Sequence, residues 1–108
     1  MNHGNKTRHH LIAEAIAILK YVKYQIKGDS DCIWTNCDTP DQMLQEIDKY
    51  VSELRKDNLQ LLDEIYLRFA PTAAYQENAI ANNWSDVYLE LAARFDKVYE
   101  HYKNFTSR

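Results

Sequence analysis

The chain has 108 residues, of which only two are glycine and two are proline. That length suits one domain with a modest core, and so few turn-forming residues favour a small number of long helices over β-sheet. The net charge of −3 argues against a general nucleic-acid-binding protein, because such proteins usually carry a basic excess. We therefore expect a single helical domain over residues 1–108.

The first helix is predicted over residues 7–27, where apolar residues recur at helical spacing. Residues 1–6 are polar, and we expect them to be frayed, as chain termini usually are. Three lysines lie near the C-terminal end of this helix: Lys20, Lys23 and Lys27. They complement the helix dipole just before Gly28, which suits the left-handed cap position. The alternative is that they receive an anionic partner.

Residues 28–38 are predicted to form an acidic loop. We expect Trp34 to pack across the helix ends; the alternative is an exposed aromatic anchor for a partner. The only cysteines, Cys32 and Cys37, are too few for a disulfide framework and lack the CxxC spacing. We therefore interpret them as reduced thiols and expect a cytoplasmic protein.

The strongest periodic signal runs from Thr39 to Phe69. Its stripe advances in steps of three and four residues: Leu44, Ile47, Val51, Leu54, Asn58, Leu61 and Ile65. Because the stripe keeps its phase, we predict one long central helix, stopped by Pro71. The alternative is a break at Asp57 and Asn58, since these residue types favour helix caps.

The last third of the chain is predicted to form two helices separated at Asn82 and Asn83, the second capped by Ser85. One continuous helix over residues 72–104 is the alternative, because helical spacing continues through that range. The whole pattern predicts an all-α, antiparallel bundle of three to four helices with a long central helix.

A partner is predicted from the length of the central helix. It exceeds the first helix, so one end would protrude with apolar residues uncovered, and exposed apolar surface usually indicates a partner. We expect a homodimer, the commonest form of soluble oligomer. The longest apolar run, residues 11–19, is too short to span a membrane.

The candidates for chemistry are few. His9 and His10 are adjacent, so on a helix they point about 100° apart, and we expect no metal site and no cofactor. Arg94 is followed by six residues and then His101. This spacing resembles the motif of the HEPN family of all-helical ribonucleases, and the resemblance implies RNA cleavage by these two residues.

We therefore expect a non-enzymatic protein that acts through protein contacts, such as an immunity, antitoxin or adaptor-like protein. The first alternative is a small helical hydrolase or ribonuclease that uses Arg94 and His101. The second is a bundle that binds a small ligand near Trp34 and Trp84. Nucleic acid and membrane are not expected as partners of the leading candidate.

Overall fold

The computed structural model describes residues 3–26, 40–71 and 73–106, with side chains at 8–26, 42–71 and 73–105. Within these ranges the chain forms five helices and no strand. The helices are α1 (His3–Ile26), α2 (Pro40–Arg55), α3 (Leu61–Arg68), α4 (Ala74–Ala81) and α5 (Ser85–Thr106). The predicted all-α fold is confirmed, although the described residues form five helices, not three or four.

Helix α1 begins earlier than predicted. It starts at His3, four residues before the predicted start at residue 7, so residues 3–6 belong to the helix. The physical reason is that this segment contains no proline, and its single glycine, Gly4, costs a helix only about 1 kcal/mol. The acidic loop predicted at residues 28–38, including Trp34, lies outside the described residues.

The continuous central helix is the main prediction that the structure overturns. Helix α2 ends at Arg55 and α3 begins at Leu61. Asp57 takes a left-handed φ of 71° between them, and its amide donates to the Leu54 carbonyl at 2.9 Å, while the Asn58 amide donates to the Glu53 carbonyl at 3.1 Å. This pair of bonds is the Schellman motif, which satisfies the last carbonyls of a helix that stops. The alternative of a break at Asp57 and Asn58 is therefore the one found.

A similar left-handed stop separates α4 from α5. Asn83 has a φ of 67°, and the Trp84 amide donates to the Ala79 carbonyl at 2.9 Å. The predicted break at Asn82 and Asn83 is confirmed. Glycine is the usual residue at this left-handed position, and here Asp57 and Asn83 take its place at the two breaks.

Helices α1 and α5 are the long pair on which the others pack. They run antiparallel, because His10 shares a groove with His101, whereas Glu14, further along α1, contacts Arg94, which comes earlier in α5. Helix α2 runs antiparallel to α1 on another side, as the pairs Lys23–Asp48 and Arg8–Asp57 require. Helices α3 and α4 pack mainly against α5.

The core contains the apolar stripes of all five helices. Fully buried members include Leu11, Ile18, Leu19, Ile26, Met43, Ile47, Leu54, Leu62, Ile65, Tyr75 and Phe95. Phe69 follows α3 and joins three helices, because its ring lies 5.0 Å from both the Tyr75 and the Phe95 rings. The break nevertheless changes the predicted stripe: Asn58 is exposed and Leu59 is buried. Ile80 of α4 is exposed.

Polar contacts tie α2 and α5 to α3. The Tyr50 hydroxyl donates to Glu64 at 2.6 Å, and Arg68 bridges Tyr50 and Glu46. Burial raises the pKa of the Tyr50 hydroxyl. None of the described helices is long and apolar enough to cross a membrane.

Candidate functional site

The two residues singled out from the sequence, Arg94 and His101, line one groove between α1 and α5. Its volume is about 340 Å³, and we call it the α1/α5 groove. It is lined by His10, Leu11, Glu14, Arg94, Lys97, Val98 and His101. Leu11 and Val98 are buried and form its apolar floor, so the titratable side chains form its rim.

Arg94 is held in place from α1. Its Nη2 and Nε both donate to one oxygen of Glu14, at 2.9 and 3.2 Å, and its guanidinium carbon lies 5.6 Å from the centre of the Tyr21 ring. A guanidinium has five N–H donors, and these two bonds leave three. Arg94 therefore has a fixed position and spare donors, as a residue that binds an anion needs, although Glu14 offsets its charge.

His10 and His101 are exposed and face the groove from opposite helices. Imidazole can accept or donate a proton near neutral pH, which is why histidine is the commonest general acid or base. Lys97 adds a further positive charge. The groove thus combines two proton-transfer groups with two cations and one carboxylate, a set that can hold a phosphodiester.

His10 and Lys97 are the groove residues that the sequence argument missed. Helical spacing contained a signal for both, because His10 lies four residues before Glu14 and Lys97 three residues after Arg94, so each shares a face with its neighbour. What the sequence could not supply was the pairing of Glu14 with Arg94 across 80 positions.

A second surface lies on the outward side of α1. Ala13, Ala17, Lys20, Tyr21 and Tyr24 follow one another at helical spacing, and we call them the tyrosine face. Tyr21 is 53% exposed and Tyr24 is 74% exposed. Their rings flank a shallow hollow of about 450 Å³ whose other walls are Ala17 and Lys20. Tyrosine is enriched where proteins bind one another, because it presents a large rigid surface at a small entropic cost.

Trp84, one of the two predicted ligand-binding tryptophans, is a core residue. It is 5% exposed, and its indole N–H donates to the side-chain oxygen of the fully buried Asn78 at 2.9 Å. Its donor is therefore already used inside the protein. Trp34 lies outside the described residues.

The described residues offer no group of three or more His, Cys, Asp or Glu side chains close enough to hold a metal ion. Asp63 is the most connected surface carboxylate: it accepts hydrogen bonds from Tyr99 at 2.7 Å and Tyr102 at 3.2 Å. The hydrogen bond to this carboxylate raises the pKa of the Tyr99 hydroxyl to about 12. These contacts connect α3 to α5. Asp63 lines neither the α1/α5 groove nor the hollow of the tyrosine face.

Comparison with known proteins adds no relative: no family model, no curated protein and no solved structure matches this chain. The resemblance to the helical ribonucleases thus rests on the spacing of Arg94 and His101 alone.

Proposed function

We propose that this chain acts through protein–protein contacts, and that its first contact is with a second copy of itself through the tyrosine face. The observation that supports this proposal is that Tyr21 and Tyr24 are both exposed, side by side, on one long helix. The proposal includes a cytoplasmic location, supported by the scarcity of cysteine. Its class is that of immunity, antitoxin or adaptor-like proteins, which act by binding.

The pattern of large and small residues on this face supports a symmetric pair. A two-fold axis requires a self-complementary surface, in which residue i contacts residue j and j contacts i. In an antiparallel pair of α1 helices with the axis midway between Ala17 and Tyr21, each Tyr21 lies over the other copy's Ala17. Each Tyr24 then lies near the other copy's Ala13. Large tyrosine side chains thus meet small alanines, while the two Lys20 side chains lie beside the axis and can extend their ammonium groups into solvent.

The sequence predicted a dimer from a protruding central helix. The structure does not support that basis, because α2 is too short to protrude. The tyrosine face is an independent reason, because it concerns α1 and does not depend on the length of any other helix.

The test is the mass of the chain by light scattering at about 10 µM, in the micromolar range expected of weak dimers. We expect twice the chain mass of 12.8 kDa for the wild type and a monomer for Tyr24→Glu, which places like charges in the contact. Leu89→Glu is the matched control, since Leu89 is 62% exposed on α5. A monomeric wild type, or equal effects of the two variants, would rule the proposal out.

A second candidate function is cleavage of RNA in the α1/α5 groove. It is supported by the position of His10, which lines the same groove as the predicted residues Arg94 and His101. One imidazole can take the proton of the ribose 2′-hydroxyl as that oxygen attacks phosphorus, while the other protonates the departing 5′-oxygen. Arg94 and Lys97 can stabilise the negative charge that builds up on the phosphoryl oxygens.

Two variants separate this activity from a structural role of the same residues. His101→Ala removes a proton-transfer group from an exposed position, so cleavage of a labelled single-stranded RNA should disappear while the melting temperature stays unchanged. The double variant E14R/R94E restores the ion pair in reverse, so it should fold normally yet fail to cleave. Absence of cleavage by the wild type, or cleavage that survives His101→Ala, removes this candidate.

A further inference from the structure

A third surface lies between α1 and α2. It is a groove of about 560 Å³, which we call the α1/α2 groove, lined by Lys20, Lys23, Ile47, Asp48, Val51, Ser52, Arg55 and Lys56. Four of these side chains are cationic and one is acidic, although the chain as a whole carries a net charge of −3. Positive charge is therefore concentrated here against the overall balance.

Half of this charge is neutralised within the protein. Lys23 pairs with Asp48 at 2.7 Å, and Lys56 pairs with Glu53 at 3.3 Å. Lys20 and Arg55 form no ion pair with any other residue that the structure describes. They come from different helices, so two uncompensated cations line opposite walls of one groove.

We infer that the α1/α2 groove binds a small organic phosphate, of the class of a nucleoside diphosphate. The guanidinium fork of Arg55 matches the geometry of phosphate oxygens, and lysine binds phosphate as a point charge. Ser52 adds a hydroxyl donor between them. Cations on both walls suit a ligand with two linked phosphates better than one with a single phosphate.

The size and floor of the groove indicate the rest of the ligand. Binding sites for small molecules usually enclose about 300–1,000 Å³, which includes this volume. Ile47 and Val51 form an apolar floor between the charged walls. Val51 and the methylene stems of the lysines and Arg55 can contact the organic part of a phosphorylated molecule, whereas inorganic phosphate would use only the charged groups.

Titration of the ¹⁵N-labelled full chain, followed by NMR, tests the inference. The probes are inorganic phosphate, pyrophosphate and ADP, and we expect saturable shifts at the Lys20, Ser52 and Arg55 amides, with ADP and pyrophosphate binding more tightly than phosphate. Lys20→Gln and Arg55→Gln should each weaken ADP binding about tenfold, the usual effect of losing one charge-assisted hydrogen bond. The spectra of the variants also report that they are folded.

Two further variants test whether added positive charge strengthens binding and provide a control. Asp48→Asn releases Lys23 from its ion pair, so it should strengthen ADP binding several-fold. Lys103→Gln makes the same change of charge at an exposed position of α5 outside all three candidate surfaces, and it should leave ADP binding unchanged.

The inference is overturned if no probe gives a saturable shift up to about 10 mM, a concentration at which even a weak site would be occupied. It is also overturned if Lys103→Gln weakens binding as much as Arg55→Gln, or if a single-stranded RNA hexamer binds this groove more tightly than ADP, which would indicate a nucleic-acid surface.

Discussion

Substitution of Asp57 tests why the central stripe breaks where it does. Two features hold this residue: a left-handed φ of 71°, and an ion pair in which Arg8 Nε lies 3.0 and 3.1 Å from its two carboxylate oxygens. Alanine in the left-handed region costs roughly 1–2 kcal/mol. The partly exposed ion pair adds at most about 1 kcal/mol. We expect Asp57→Ala to lower the free energy of unfolding by about 2 kcal/mol.

Three comparison variants divide this loss into its parts. Asp57→Gly removes the left-handed strain and should cost about 1 kcal/mol or less, because only the ion pair and chain entropy are lost. Asp57→Asn keeps a residue that tolerates positive φ, and Arg8→Gln removes the ion pair alone, so each should cost about 0.5 kcal/mol.

Thermal unfolding followed by circular dichroism measures the series. For a domain of this size, 1 kcal/mol corresponds to roughly 4–8 °C, so Asp57→Ala should melt about 10 °C below the wild type and clearly below Asp57→Gly. If alanine and glycine have equal effects, backbone conformation at this position does not determine the break, and the reasoning fails.

The remaining predictions concern buried and hydrogen-bonded aromatic residues. Trp84→Phe removes the hydrogen bond from the indole N–H to the buried Asn78 oxygen, so urea denaturation should show a loss of about 1–2 kcal/mol. Tyr75→Phe should be neutral or stabilise by about 1 kcal/mol, because the fully buried Tyr75 hydroxyl has no hydrogen-bond partner among the described residues. The pKa of Tyr99 is raised in the folded state to about 12 by its hydrogen bond to Asp63. Its stabilising contribution is therefore complete below about pH 10, the unfolded value, and is lost as pH rises towards 12. Tyr99→Phe should lessen the fall in stability over that interval in an alkaline titration.

The helical class and the second break were predictable because each had a local cause. Scarce glycine and proline, with three-and-four spacing, indicated helices. Asn82, Asn83 and Ser85 marked an end and a start within a few residues. At the first break the same kind of signal, Asp57 followed by Asn58, competed with a stripe that kept its phase. The apolar spacing stays in phase across a break whenever the second helix buries the same side as the first. Periodicity alone therefore could not distinguish one continuous helix from two.

Contacts between distant parts of the chain add to this local signal at the first break. Arg8 reaches Asp57 across 49 positions, and Phe69 must turn into the space between α4 and α5 to meet Phe95. A helix continued through Asp57 would carry Phe69 away from that space. The continuous helix would also leave the Leu62 and Ile65 side chains without the α5 surface that now covers them. Tertiary burial therefore outweighs local helix propensity here.

Local spacing and distant contacts also explain why only part of each candidate site was predictable from the sequence. The sequence identified Arg94 and His101 by spacing along one helix, and that spacing places them in one groove. It could not identify the opposite wall, because Glu14 and His10 come from the other end of the chain. Nor could it distinguish Tyr21 and Tyr24 from the other tyrosines, since all of them lie on amphipathic helices. Exposure distinguishes Tyr21 and Tyr24 from the others. Most tyrosines here are buried or donate a hydrogen bond to a neighbouring helix. Tyr21 and Tyr24 instead face outward from α1, the helix that contacts both α2 and α5. One helix therefore borders all three candidate surfaces, and its Lys20 lines two of them. Substitutions of Tyr24, Arg55 and His101 test the tyrosine face, the α1/α2 groove and the α1/α5 groove separately, because each of these residues lines one surface alone.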